Sequence, residues 1–134
     1  MTAFPLQIVS PDGLEYSGQA QQVIVRTTTG DMGVLAGHMD CVAPLGMGRA
    51  TINIDGKKRH AACIGGMLSV SDGKVTLVTT TFEWAEDIDA NRAEKSLERA
   101  QNVLQDKSAS ATDIRLAEAR AKRALIRKSV AAGK

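Results

Sequence analysis

From Phe4 to Thr81 the chain alternates apolar and polar positions in short runs. Ala50, Ile52 and Ile54 are interleaved with Thr51, Asn53 and Asp55, and polar residues also separate Leu68 from Val70 and Val75 from Leu77. A period of two sends neighbouring side chains to opposite faces of a strand, so each run predicts a strand with one buried face. Gln22–Thr29 is a β-branched run of the same kind, and Thr79–Thr81 extends the preference. Asp12-Gly13, Asp55-Gly56 and Asp72-Gly73 predict tight turns, because Asp and Gly tolerate positive φ. Many short strands at this spacing predict an antiparallel β-sandwich or barrel. The pair Gly65-Gly66 reads as a bulge or a close backbone approach.

The period changes after Phe82-Glu83-Trp84. Between Asp89 and Leu104 there is no Gly or Pro, and Ala93, Leu97, Ala100, Val103 and Leu104 recur at helical spacing. Asp87 or Asp89 can cap the exposed N–H groups at the start of this helix. Gln105–Ser110 is polar and predicts a turn, and Ser110 with Asp113 resembles a capping box. A second helix is expected from Thr112 to Val130, with an inward stripe of Ile114, Ala117, Ala121, Ala124 and Leu125. Two helices joined by a short turn form an antiparallel hairpin. Burial yields about 25 cal/mol per Å², so an alanine-rich stripe holds its partner weakly. The reading is therefore a β domain over 1–86 followed by a two-helix hairpin over 87–134. Whether the hairpin stays docked is open at this level.

Composition changes the picture in two places. Aromatics are only 3%, Phe4, Tyr16, Phe82 and Trp84, so the helical part packs with aliphatic and alanine side chains alone. Charge is unevenly spread: residues 105–134 hold eight basic and three acidic side chains, +5, against nine and twelve in the preceding 104, −3. A mildly acidic body carries a basic tail. No apolar run reaches the roughly 20 residues needed to span a bilayer, and Met1–Pro5 shows no secretory pattern. The expectation is a chain that is neither integral to a membrane nor exported in the usual way. Cys41 and Cys63 form no CxxC pair and no cluster with His38 or His60, so two buried thiols are expected rather than a metal site.

No phosphate-binding GxxxxGK[ST], GxSxG or HExxH motif is present, and no catalytic residue is expected. Glu86 and Asp87 lie where a helix dipole favours carboxylates. In the second helix Arg120, Arg123 and Arg127 share a face, while Arg115 and Lys122 lie elsewhere around it. These residues are either a solvated surface or a dock for an acidic partner. No aromatics interleave with them, so nucleic acid is not expected as the partner.

Several blocks together resemble the epsilon subunit of F-type ATP synthases, called delta in mitochondria. They are Leu6–Gly13, the glycine-rich Gly30–His38, Leu45–Gly48, Gly65–Val70 and Ile88–Ala93. Val34, Met67 and Ser69 depart from the family's usual residues there. The resemblance implies a ten-stranded β-sandwich followed by a helical hairpin. It also implies a non-catalytic subunit of the central rotary stalk, coupling proton translocation to ATP synthesis. The implied partners are the gamma subunit, the c-ring and the alpha/beta catalytic head, whose ATP hydrolysis the hairpin inhibits. By resemblance His38 marks subunit contact on the body, and Arg115, Arg120, Lys122, Arg123 and Arg127 on the arm. The implied location is peripheral on the cytoplasmic face of the bacterial cell membrane, or the thylakoid membrane for a plastid-encoded chain.

No cofactor is implied as required, but regulatory ATP is implied for some bacterial members. Ile88, Asp89, Arg92 and Ala93 match the family's nucleotide motif, and Glu83, Arg99, Arg123 and Arg127 fall at positions resembling its other contacts. The competing reading has Asp89 capping the helix and Arg92 and Arg99 pairing with Glu86, Glu94 or Glu98. The residues alone also leave open a stand-alone cytosolic β-sandwich module, binding nucleotide or protein, with a helical interaction tail.

Overall fold

A computed structural model describes residues 2–133. Seven strands come first: β1 (Phe4–Ser10), β2 (Gly13–Ala20), β3 (Gln22–Thr27), β4 (Gly30–Leu35), β5 (Cys41–Ile54), β6 (Lys57–Ser71) and β7 (Lys74–Trp84). A single 3₁₀ turn (Ala85–Asp87) leads to α1 (Ala90–Gln105) and α2 (Ala111–Ala132). The strands form one hydrogen-bonded sheet in the order β2-β1-β7-β6-β5-β3-β4. All pairings are antiparallel except β1 with β7.

The expected ten strands are these seven with the three long ones each serving twice. In β5, Leu45 faces the core near one end, but Ala50 and Ile52 face it near the other. In β6 the inward set changes from Ala61 and Cys63 to Leu68 and Val70, and in β7 from Val75 and Leu77 to Phe82 and Trp84. Odd and even positions exchange faces midway along each strand. Strands that bend from one layer to the other make the corners of such a sandwich. The bends fall at Gly46–Gly48, at Gly65-Gly66 and at Thr79–Thr81. Gly66 shows why glycine is needed there: its φ is +117°, and an added Cβ would lie 1.9 Å from the Val78 carbonyl oxygen. Buried Thr79 satisfies its hydroxyl by donating to the Val9 carbonyl at 2.9 Å.

One layer thus contains β2, β1 and the adjoining halves of β7, β6 and β5. The other contains the remaining halves with β3 and β4. The core between them holds Phe4, Leu6, Ile8, Val23, Val25, Leu68 and Leu77, among others. Tyr16 and Trp84 meet edge to face across it with ring centroids 6.4 Å apart, and Phe82 packs on Trp84 at 5.0 Å. Asp55-Gly56 and Asp72-Gly73 both have positive φ at their two positions, as a type I′ hairpin turn requires. Cys63 is buried, and desolvation pushes its thiol up to about 12, so it stays protonated at physiological pH. Cys41, expected to be buried, is only half-buried.

The helix caps are supplied by short polar side chains. Asp89, not Asp87, caps α1, its carboxylate accepting from the Arg92 N–H at 3.0 Å. Ser110 and Asp113 form the reciprocal capping box of α2. Asp106 accepts from both the backbone N–H and the hydroxyl of Ser108, which holds its carboxyl below the usual range and tightens the turn between the helices. Two expected inward residues point out: Leu125 is 52% exposed and Leu104 38%. The buried stripe of α2 is instead Ala117, Ala124 and Val130, with Ile126 half-buried beside it. Leu125 lies about 100° around the helix from Ala124, which takes it off the covered face.

Candidate functional site

The arm formed by α1 and α2 rests on the outer surface of the β3–β4 layer. A small second core forms there from Ala62 of β6, Ala85, Ile88 and Val130, with Ile126 and Ala131 packed against it. Polar contacts surround this core. The Arg127 guanidinium donates to the Glu83 carboxylate on β7, and Arg49 on β5 donates to the Ser129 carbonyl at 2.9 Å. Ser129 is in the last turn of α2, so the Arg49 cation also meets the negative end of the helix dipole. Lys128 ties the two helices together through Glu94. Arg59 lies 3.7 Å over the Trp84 ring and pairs with Glu86 at the joint between sheet and arm.

Most of the predicted nucleotide residues come together. Glu83, Ile88, Asp89, Arg92, Ala93 and Arg127 line one cleft of about 570 Å³ between body and arm, with Asp12, Asp87, Thr80 and Thr81 also on its wall. Arg99 lies outside it, in an adjoining cleft shared with Asp89, Arg92 and Lys95. Arg123 is half-buried on α2 and lines neither cleft. The main cleft holds four carboxylates against two guanidinium groups, and one of those, Arg127, is already paired with Glu83. Asp89 is engaged as the helix cap.

The predicted subunit-contact residues are more scattered. Arg115 and Arg120 are exposed, Lys122 faces a separate cleft over β3 and β5, and Arg123 and Arg127 turn partly inward. Arg120, Arg123 and Arg127 share one side of the unbroken α2, as their spacing requires, but Arg120 is exposed while Arg127 reaches back to Glu83. His38 sits half-buried in the loop after β4, its Nδ1 2.8 Å from the Met39 carbonyl. A carbonyl only accepts, so this contact calls for the tautomer with the proton on Nδ1. Met39 beside it is 76% exposed.

Sequence reasoning missed an apolar row on the other layer. Pro44 of β5 lies opposite Met67 of β6, Met67 opposite Val78 of β7, Val78 opposite Val9 of β1, and Val9 opposite Leu14 of β2. Met67, Val78 and Leu14 are exposed and point away from the core. Singly exposed apolar residues are ordinary, but a contiguous row marks a surface that another molecule covers. The signal in the sequence is the adjacent apolar pair at Pro44-Leu45, Met67-Leu68 and Leu77-Val78, where strict alternation predicts a polar partner.

A rigid β body with an apolar outer row, carrying a basic helical arm on its opposite face, defines a binding subunit of a larger assembly. The chain belongs to the ATP synthase delta/epsilon family: the family's beta-sandwich domain matches residues 3–85 and its long alpha-helix domain residues 86–132. It is similar to the ATP synthase epsilon chain of Ruminococcus albus, 40% identical over 132 residues and 98% of each chain. The epsilon chain of Bacillus velezensis is 40% identical over 131 residues, again 98% of each. Among solved structures, a chain of the Euglena gracilis mitochondrial ATP synthase superposes with a TM-score of 0.84 at 27% identity, over 100% of this chain and 83% of that one. A chain of the Tetrahymena thermophila ATP synthase shares the fold at 11% identity, with a TM-score of 0.67 over 95% of each.

The arm's attachment is testable by truncating its largest buried contact. Val130→Ala removes two methyl groups from the second core, which costs about 1–2 kcal/mol. Amide hydrogen exchange is expected to quicken along α2 and to stay unchanged in β1 and β7. Uniform quickening through the sheet would contradict a separately attached arm.

Proposed function

We propose that this chain is a non-catalytic rotor subunit of an F-type ATP synthase. In this reading the β domain, 1–86, joins the gamma subunit and the c-ring and couples proton translocation to ATP synthesis. The helical arm, 87–134, restrains ATP hydrolysis by reaching the alpha/beta head. The subunit is peripheral to the membrane, and among the described residues no helix is long and apolar enough to cross one. The observation that carries the reading is the apolar row Pro44–Met67–Val78–Val9–Leu14, which family membership alone does not require. An apolar row across five strands fits a gamma-type partner that must be gripped firmly, since buried apolar anchors dominate interface energy.

Val78→Asp places a charge in the middle of that row without touching the core. It is expected to weaken copurification with the cognate gamma subunit by ~30-fold or more, from the 2 kcal/mol or more that a central anchor supplies. Far-UV circular dichroism of the isolated variant should match the parent. Undiminished assembly would remove the row from the interface.

The inhibitory role rests on the basic residues that remain outward or that undocking would release. Neutralising Arg115, Arg120, Lys122, Arg123 and Arg127 together is expected to raise ATP hydrolysis by the reconstituted complex. Unchanged hydrolysis would count against the arm as inhibitor.

A second reading adds regulatory ATP in the cleft of Glu83, Ile88, Asp89, Arg92, Ala93 and Arg127. Its support is that body and both segments of the arm meet there, so an occupant favours the docked arm. The excess of carboxylates makes the binding weak. Calorimetric titration is expected to give small heats at millimolar ATP that Arg92→Ala abolishes. No heat at millimolar ATP would remove this reading.

A further inference from the structure

A different cleft lies on the other flank of α2, between the β3–β4 turn, β5 and the arm. Its origin is a mismatch between two strands. Ile24 pairs with Thr51 and Thr27 with Leu45, so residues 25–26 of β3 oppose residues 46–50 of β5. The longer segment must arc outward. Gly46 and Gly48 let it lie close at its base: added Cβ atoms would come 3.0 Å from the Thr27 carbonyl oxygen and 2.6 Å from the Arg26 Cβ. The result is an open cleft of about 750 Å³ with α2 as its far wall.

Its charge is one-sided. Arg26 and Arg49 of the body and Lys122 of the arm line it, with Asp31 as the only carboxylate among the lining residues. Arg26 pairs with Asp31 at 3.1 Å, both half or more exposed, and such a pair contributes ~0–1 kcal/mol. Arg49 uses Nη2 on the Ser129 carbonyl. Lys122 has no ion-pair partner among the described residues. The Thr28 hydroxyl, also on the wall, has no hydrogen-bond partner among them. The positive field extends to neighbouring His60, held below its ordinary 6.5 by burial first and then by Arg49 and Lys58. Docking the arm brings Lys122 to the cleft that Arg26 and Arg49 line, a like-charge approach that offsets part of what the Arg49–Ser129 bond contributes. An anion between them reverses that sign.

We propose that this cleft binds a phosphate-type polyanion through Arg26, Arg49, Lys122 and the Thr28 hydroxyl, and that the bound anion clamps the arm to the body. Guanidinium groups match phosphate oxygens with paired hydrogen bonds, and a lysine adds a point charge. The site is separate from the cleft of Asp89 and Arg92, and the inference does not rest on the rotor assignment. The anion is free phosphate or pyrophosphate, or the phosphate tail of a nucleotide.

The test is an NMR titration of the full chain with sodium pyrophosphate, read at the amides of residues 26–31 and 46–49. Saturable shifts there are expected, together with a raised melting temperature. Arg26→Gln combined with Lys122→Gln, both at exposed positions, is expected to weaken binding by ~10-fold or more, the loss of at least one charged hydrogen bond. Lys107→Gln, in the turn between the helices, should leave it unchanged. ATP moving the same amides as pyrophosphate would identify a nucleotide tail as a source, and pyrophosphate acting alone would identify the free anion. Equal shifts from sodium chloride at matched ionic strength would overturn the proposal. So would shifts confined to Asp89–Ala93, or a double variant that binds as the parent does.

Discussion

The arm meets the body through a handful of small side chains. Ala62 and Ala85 offer little area, and Val130 with Ile88 and Ile126 supplies most of what is buried. Fully burying a valine yields about 1.5–3 kcal/mol, and the part-exposed Arg127–Glu83 pair adds ~0–1 kcal/mol. The joint thus rests on far fewer buried side chains than the core of the sandwich does. That inequality separates the two parts mechanically. The sheet can stay intact while the arm leaves, because no core residue of the sandwich belongs to α1 or α2. It also sets the scale of control: a ligand that prefers one state by a few kcal/mol is enough to shift the population of the arm.

The β body must then serve two surfaces at once without deforming. Its long strands solve this by exchanging faces midway. Along β6, Ala62 points out under the arm while Met67 points out on the other layer, and along β7 Glu83 and Val78 divide in the same manner. A bend in three neighbouring strands at Gly46–Gly48, Gly65-Gly66 and Thr79–Thr81 places the arm and the apolar row on opposite sides of one core. Close packing makes that core stiff, so a partner gripping the row and a helix resting on the far face are held in fixed relation. A bulky residue at Gly66 would meet the Val78 carbonyl and force the bend open.

Much of this was legible from residues whose chemistry is local. The turns at Asp55-Gly56 and Asp72-Gly73 and the Ser110–Asp113 box each depend on a few neighbouring atoms, and sequence reasoning placed them, whereas for the cap of α1 it left Asp87 and Asp89 open and the structure selects Asp89. The exchange of faces was not readable. Alternation is preserved on either side of Gly65-Gly66, and nothing in the pattern says which set turns inward. The sequence pattern marks Leu68 and Leu77 as buried, and only strand pairing shows that Met67 and Val78 beside them line up outside as a row. In α2 an alanine-rich stripe left the inward direction weakly marked, so Leu125 was assigned to the interior, whereas Ile126 and Val130 turn inward. For the candidate nucleotide residues, the motif brought Ile88, Asp89, Arg92 and Ala93 to one cleft. Spacing along α1 and α2 alone did not reveal that Arg99 and Arg123 fall outside it.

The two clefts flanking α2 share a geometry with a functional consequence. Each has one wall on the body and one on the arm, so an occupant of either touches both parts. Their charges differ in sign: carboxylates dominate beside Asp89 and Arg92, and cations beside Arg49 and Lys122. Removing the arm withdraws Arg127 from Glu83 and Lys122 from the neighbourhood of Arg26 and Arg49. The Arg127–Glu83 pair and the Arg49–Ser129 hydrogen bond favour docking while the approach of Lys122 to Arg26 opposes it, so the charged groups around α2 partly offset one another and Val130 and its neighbours add the apolar share. A joint poised in this way responds to small changes in charge at its edges, which a larger apolar interface would override.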